Sequence, residues 1–218
     1  MDGKFVVGVI GTQNTGKTTF IQDILKEFSE TSMEFKTVGC DYRKKIEEKG
    51  LKINRNGNLE SQWIIFNTLV EQLDIIEKMP AGNYITDRSP LDAYVYTCYL
   101  WRKGAIDVKQ SDLDDMFSKL CDAMRRYDKI IFLDLDKCAN VDVVDDKFRD
   151  TDLEYRKEID QLFKGVLEIL EGNGMLKGKV ERGIYGTRDE RVEQFLETQC
   201  GNFKIDSEWE DRERDGVK

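Results

Sequence analysis

The sequence has 218 residues, of which 35% are charged and 39% hydrophobic, and its formal net charge is −9. This length suits one domain with a sizeable core, and the acidity argues against sequence-independent binding to nucleic acid, which requires a basic face. Five cysteines without a CxxC pair, in a chain without histidine, argue against a metal centre built on cysteine. The apolar N-terminal run is too short for a signal peptide or a membrane span, which predicts a cytoplasmic protein with no membrane association.

Apolar periodicity predicts strands that alternate with helices along the chain. The predicted strands are 4–10, 35–38, 83–86, 129–136 and 179–185. The predicted helices are 17–28, 59–79, 90–102, 111–126 (with a capping box of Ser111 and Asp114), 152–171 (with a cap at Thr151) and 189–197. This alternation indicates an α/β protein with a three-layer α/β/α fold around a five-stranded parallel sheet.

The chain shows no internal repeat and no linker, so a single domain is predicted over residues 1–205. The polar, acidic segment at about 137–156 is predicted to form a small lid. Residues 206–218 form a charged tail with little to bury, which predicts a disordered end.

The sequence Gly11-x-x-x-x-Gly16-Lys17-Thr18, placed between the first strand and the first helix, has the pattern of a phosphate-binding loop of the Walker A type. Its glycines let backbone N–H groups turn inward around phosphate oxygens, and the helix N-terminus adds a partial positive charge. Lys17 is predicted to face solvent in the empty loop and to reach the β- and γ-phosphates of ATP, while Thr18 takes a place on Mg²⁺. The predicted nucleotide-binding set is completed by Asn14, Thr15 and Thr19.

Two other signals narrow the class of nucleotide-binding protein. The Asn-Lys-x-Asp tetrapeptide by which signalling GTPases read guanine is missing from the sequence. The most apolar strand ends in Asp134-Leu135, whereas motor-type ATPases usually place Asp-Glu there. These two observations favour the hypothesis that the protein is a small-molecule kinase.

Polar residues that follow the second and third strands support this reading. Asp87-Arg88-Ser89 ends the third strand at the carboxyl edge of a parallel sheet, where ligands bind. It resembles the Asp/Glu-Arg-Ser motif of deoxynucleoside kinases and the Asp-Arg-Tyr of thymidylate kinases. The resemblance implies that Asp87 holds Mg²⁺ or its waters and that Arg88 contacts the acceptor or the transferred phosphoryl group. By the same resemblance, Asp41 is the candidate general base, with Arg43 nearby; the alternative is an ordinary turn aspartate.

Two further segments follow the later strands. Arg149 and Arg156 flank the start of a helix, and in nucleotide kinases lid arginines stabilise the charge of the transition state. Gly186, Thr187 and Arg188 resemble the Gly-Thr turn that lies under the adenine in related kinases. Each of these sets could equally be ordinary surface or turn residues. Gln62 and Trp63 could contact a base, although an aromatic residue on such a helix is more often part of the core.

Together these motifs resemble the P-loop nucleoside and nucleotide kinase superfamily over residues 4–200, including the small ATPase/kinase group that contains nicotinamide riboside kinase domains and phage-type kinases. The resemblance implies an ATP- and Mg²⁺-dependent kinase whose partner is a small nucleoside or nucleotide. Three alternatives stay open: a kinase for a modified DNA base such as 5-hydroxymethyluracil, a nicotinamide riboside kinase, and a nucleotide-dependent regulatory ATPase. The acceptor and the oligomeric state, including a homodimer, are also open.

Overall fold

The computed structural model describes residues 3–29, 31, 33–104, 108–138 and 151–200. Strands lie at Lys4–Ile10 (β1), Phe35–Lys36 (β2), Gly82–Asp87 (β3), Lys129–Phe132 (β4) and Val180–Glu181 (β5). Helices lie at Lys17–Glu27 (α1), Tyr42–Glu48 (α2), Leu59–Lys78 (α3), Pro90–Arg102 (α4), Gln110–Met124 (α5), Leu153–Gly172 (α6) and Arg188–Cys200 (α7). Short 3-10 turns occupy Asn54–Asn56 and Leu135–Lys137.

The five strands form one parallel sheet in the order β2-β3-β1-β4-β5. The strand β1 lies at the centre, and its register with β3 sets Val9 opposite Asp87. The last residues of β1 and β3 therefore end at the same edge of the sheet. The predicted five-stranded parallel sheet is confirmed.

The alternation of side chains along the strands separates two cores, one on each face of the sheet. Val6 and Ile10 of β1 belong to the core covered by α3, α4, α5 and α6. Val7 and Val9 belong to the opposite core, which α1 and α7 cover. Both faces of β1 are thus buried, as its continuous apolar sequence predicts, and the three-layer α/β/α architecture is confirmed.

The two edge strands are shorter than predicted, and each has a local cause. After Lys36 the chain leaves the sheet, and the Val38 carbonyl accepts a hydrogen bond from Gln72 Nε2 of α3 at 2.5 Å. After Glu181 the chain turns, because the Glu181 carboxylate accepts from the Gly183 N–H at 2.7 Å. The segment that follows β2, residues 37–40, forms part of the wall of a cleft.

Helix starts were less predictable than helix existence. The helix α5 begins at Gln110, where Asp112 accepts from the Lys109 N–H at 2.8 Å, so the capping box predicted at Ser111 is wrong. At α6 the cap is Asp152, which accepts from the Tyr155 N–H at 2.9 Å, and not Thr151. The helix α2 was not predicted, because its apolar face consists only of Tyr42 and Ile46.

Most of the predicted lid, residues 139–150, and the predicted tail lie outside the described residues. Among the helices that the structure does describe, none has the length and apolar character needed to cross a membrane.

Candidate functional site

The loop between β1 and α1 has the backbone geometry that its sequence predicts. Gly11, Asn14 and Gly16 all have positive φ, at 139°, 57° and 82°. A Cβ atom on Gly11 would lie 2.7 Å from the Leu133 carbonyl oxygen, so only glycine fits between the loop and the segment after β4. The first glycine of the motif is therefore required both by conformation and by close packing.

Lys17 is buried, and the prediction that it faces solvent in the empty loop is wrong. Its Nζ donates to the carbonyl oxygens of Gly11 at 2.8 Å and Thr12 at 2.5 Å. Burial, followed by the positive charge of Arg88, lowers the pKa of Lys17 to about 7. The ammonium group is thus held inside the loop, where an anion would restore its usual affinity for a proton.

We expect binding of ATP to take up a proton through Lys17. The bound phosphates raise the pKa of the Lys17 ammonium from about 7 toward its ordinary value, so above neutral pH the complex binds more protons than the free protein. Affinity for ATP should consequently fall as the pH rises above about 7, by at most about tenfold per pH unit. Calorimetry at one alkaline pH in two buffers of different ionisation enthalpy measures the uptake. Equal heats in both buffers would contradict this prediction.

A carboxylate of β3 lies against the start of α1. Thr18 Oγ1 donates to Asp87 Oδ2 at 2.6 Å. A hydroxyl and a carboxylate in contact supply two of the hard oxygen ligands that Mg²⁺ prefers, with the remaining positions left to water and phosphate. The residues present therefore fit a magnesium ion bound beside the loop.

The side chain of the next residue, Arg88, is 15% exposed, and its backbone has a positive φ of 79°, which is uncommon for a residue other than glycine. Its Nη1 donates to Asp92 Oδ1 at 3.0 Å, and Asp92 Oδ2 accepts from the Ser89 N–H at 2.9 Å. Ser89 in turn caps α4. The strained backbone and the buried ion pair fix the guanidinium at the carboxyl edge of the sheet.

One cleft of about 480 Å³ brings most of the predicted site together. Its lining contains these predicted residues: Asn14, Gly16, Lys17, Thr18, Thr19, Asp41, Arg43, Asp87 and Arg88. Asp41 is the N-cap residue of α2, yet its side chain makes no capping hydrogen bond. Asp41 is exposed and lines the cleft, and its carboxylate does not cap the helix.

Among the lining residues that the sequence did not indicate is Gln72, and a residue that it left undecided, Gln62, lines a neighbouring pocket. Gln72 of α3 lines the cleft, donates to Val38 and leaves its buried Oε1 without a partner among the described residues. Gln62 of the same helix is 1% exposed, lines a deeper pocket beside Arg88, and also has an unpartnered Oε1. Trp63 packs edge-on against Phe66, as expected of a core residue.

The remaining predicted residues lie elsewhere. Arg149 lies outside the described residues. Arg156 is buried and donates to the backbone of the loop, from Nε to the Gln13 carbonyl at 3.2 Å and from Nη2 to the Asn14 carbonyl at 3.0 Å. Burial lowers the pKa of Arg156. In this structure Arg156 therefore contacts the loop directly from α6.

The turn predicted to lie near adenine is joined to the loop by a residue that the sequence did not indicate. Gly186 has a φ of 85°, and the Thr187 N–H donates to Glu190 Oε2 at 2.7 Å. The exposed Arg188 pairs with Asp23 of α1. Arg191 of α7, which was not predicted, donates to both the Gly186 and the Thr15 carbonyls at 3.1 Å.

A parallel sheet with a phosphate-binding loop after its central strand defines a P-loop protein that binds nucleoside triphosphates. The sequence belongs to the AAA domain family (AAA_28), whose model matches residues 6–181. No curated protein matches the sequence.

Solved structures share this fold at low sequence identity. The NadR protein in complex with NAD and AMP-PNP is 17% identical with a TM-score of 0.60, over 93% of this chain and 51% of that one, so this chain spans about half the length of NadR. Thymidylate kinase from Candida albicans is 17% identical with a TM-score of 0.62, over 91% and 92% of the two chains. Deoxyadenosine kinase from M. mycoides is 12% identical with a TM-score of 0.60, over 90% and 100%. The family match and these folds support the predicted P-loop nucleoside and nucleotide kinase-like superfamily.

Proposed function

We propose that the protein is an ATP- and Mg²⁺-dependent kinase that transfers the γ-phosphoryl group to a nucleoside or nucleotide. The observation that carries this proposal is the continuity of one cleft. Its first part is the phosphate-binding loop, and its second part is a polar wall formed by Asp41, Arg43 and Arg88. An enzyme that only hydrolyses ATP needs no such second compartment.

Each residue has a chemical task in this reaction. Lys17 would contact the β- and γ-phosphates. Thr18 and Asp87 would hold Mg²⁺, which when bound neutralises phosphate charge. Arg88, fixed by Asp92, would place a positive charge beside the transferred group or the acceptor. Phosphoryl transfer requires mainly positioning and charge stabilisation, and these residues supply both.

Two buried glutamines extend the proposal to the acceptor. Gln72 and Gln62, whose buried Oε1 atoms have no partner among the described residues, each line one of the two pockets that Arg88 also lines. A buried amide oxygen without a hydrogen bond is costly, and an N–H donor on the bound acceptor would satisfy it. A nucleobase has such N–H groups, and this supports a nucleoside or nucleotide acceptor.

The experiment that tests the function is a transfer screen with ATP labelled in the γ-phosphate against nucleosides, nucleotides, nicotinamide riboside and DNA containing modified bases. Label on a nucleoside or nucleotide supports the proposal. Label only on DNA or only on nicotinamide riboside would select one of the other kinase activities, and the net charge of −9 counts against the former. Slow release of inorganic phosphate without a labelled acceptor would favour a regulatory ATPase, the second candidate, which the AAA domain family match keeps open.

We expect Asp41→Asn to depress turnover far more with a hydroxyl acceptor than with a phosphate acceptor. A hydroxyl must lose a proton during transfer, whereas a phosphate is already ionised, so only the first needs a base. The loss with a hydroxyl acceptor should be about a hundredfold or more, which is the usual contribution of general-base catalysis. Steady-state rates of the variant with both acceptor types measure the difference.

The control is Glu48→Gln, which removes an exposed carboxylate from the same helix, away from the cleft. Small and equal losses with both acceptors would mean that Asp41 acts only as a turn residue.

A further inference from the structure

The outer side of the phosphate-binding loop is held by two guanidinium groups from different helices. Arg156 of α6 donates to the carbonyl oxygens of Gln13 and Asn14, and Arg191 of α7 donates to that of Thr15. Three consecutive carbonyl groups of the loop thus accept hydrogen bonds from buried positive charges.

Both guanidinium groups are almost completely excluded from solvent. Arg156 is 6% exposed and Arg191 is 5% exposed. Within the part of the chain that the structure describes, neither forms an ion pair with a carboxylate, although the protein carries 43 acidic residues. Asp160 of the same helix attracts the Arg156 charge without forming an ion pair with it. Burial of a charge without a directly paired opposite charge is costly, and an anion bound in the adjacent loop would offset that cost.

Because the peptide group is planar, these contacts also fix the direction of the N–H groups of the loop. In a planar trans peptide the carbonyl of one residue and the N–H of the next point in opposite directions. Holding the carbonyls of residues 13, 14 and 15 toward the two arginines therefore directs the N–H groups of Asn14, Thr15 and Gly16 away from the arginines, and Asn14 and Gly16 line the cleft. These are the N–H groups that a loop of this kind offers to phosphate oxygens.

We propose that Arg156 and Arg191 are positioning residues that orient the N–H groups of the phosphate-binding loop without contacting the nucleotide. Arg191 has a second task, because it also donates from Nε to the Gly186 carbonyl at 3.1 Å. One guanidinium group thereby joins the loop to the 186–187 turn. The proposal concerns triphosphate binding, so it does not depend on which acceptor is phosphorylated or on whether transfer occurs.

The test measures binding of tripolyphosphate, which has the phosphates of ATP but no base, by calorimetry in the presence of Mg²⁺. The variants are Arg156→Met and Arg191→Met, and the control is Arg126→Met. Arg126 is a partly buried arginine just after α5 that pairs with Asp74 and Glu77. Each test variant should raise the Kd for tripolyphosphate by about tenfold or more, as expected for the loss of hydrogen bonds from a charged donor. The control should leave the Kd unchanged.

Comparison with ATP tests the second task of Arg191. Arg191 contacts the turn that is predicted to lie near adenine, and Arg156 does not. In Arg156→Met the Kd values for ATP and for tripolyphosphate should therefore rise by the same factor. In Arg191→Met the Kd for ATP should rise more than the Kd for tripolyphosphate. Equal factors in both variants would overturn the link to the 186–187 turn.

Lysine variants address the case in which a methionine variant does not fold. Arg156→Lys and Arg191→Lys keep the charge but cannot donate to two carbonyls in the fixed geometry of a guanidinium, so their Kd values should still be raised. A lower melting temperature with a Kd within twofold of wild type, in folded lysine or methionine variants, would show a purely structural role and overturn the proposal. A wild-type protein that binds tripolyphosphate but transfers nothing would contradict the kinase function and leave this inference intact.

Discussion

Replacement of Lys17 by alanine should abolish phosphoryl transfer and leave the fold intact. Under the proposed function, Lys17 is the side-chain cation that the loop would present to the phosphates, and neutralising their charge is the main task in this chemistry. Turnover should fall by at least about a thousandfold, or about 4 kcal/mol of transition-state stabilisation. The melting temperature should change little, because burial disfavours the charged form of this lysine in the empty protein.

The measurements are initial rates, the Kd for ATP, and thermal unfolding without and with nucleotide. Lys26→Ala is the matched control, because Lys26 lies on the exposed side of the same helix. A Lys17→Ala protein with near-wild-type turnover and unchanged melting would contradict the assignment of the loop as a phosphate site.

Replacement of Asp87 by asparagine should lower turnover by more than about tenfold, or about 1.4 kcal/mol, and raise the Mg²⁺ concentration needed for half-maximal rate. Asparagine keeps an oxygen that can accept from Thr18 Oγ1, so the variant removes charge while retaining the local hydrogen bond. The effect therefore reports on the carboxylate as a partner of the metal, and a metal in such a site contributes several kcal/mol.

Magnesium titrations of the rate, for wild type and variant, measure this effect. Asp122→Asn removes an equally small acidic side chain from an exposed position of α5 and should behave as wild type. An unchanged magnesium requirement in Asp87→Asn would show that the carboxylate acts only as a hydrogen-bond acceptor for Thr18.

The parts of the fold and site that were predictable from the sequence are those with a local pattern. The strand β1, the loop after it and the helix α1 follow one another within residues 4–27, and their sequence alone indicates what they form. Asp87 and Arg88 could be assigned to the same edge because parallel strands end together, and the register of β1 with β3 agrees. The cleft gathers them as that argument requires.

The residues that were missed or wrongly described depend on packing between distant segments. Arg191 lies 176 positions after Thr15, and nothing in the sequence around it distinguishes it from other arginines of an exposed helix. Arg156 was assigned to a lid because it follows a polar segment, whereas the packing of α6 turns it toward the loop. The burial of Lys17 likewise depends on what surrounds the loop, which local sequence does not specify.

The central position of β1 has a consequence for how the chain is made. Val6 pairs with Tyr84 and Val7 pairs with Lys129. The strand that is synthesised first therefore has partner strands that are synthesised much later. During translation one edge of β1 can pair with β3, but its other edge remains without a partner until β4 has left the ribosome, and sheets that depend on such distant pairings form slowly. A chain that stops before β4 would retain an open, apolar edge on its central strand, so premature termination should yield aggregates instead of a smaller folded unit.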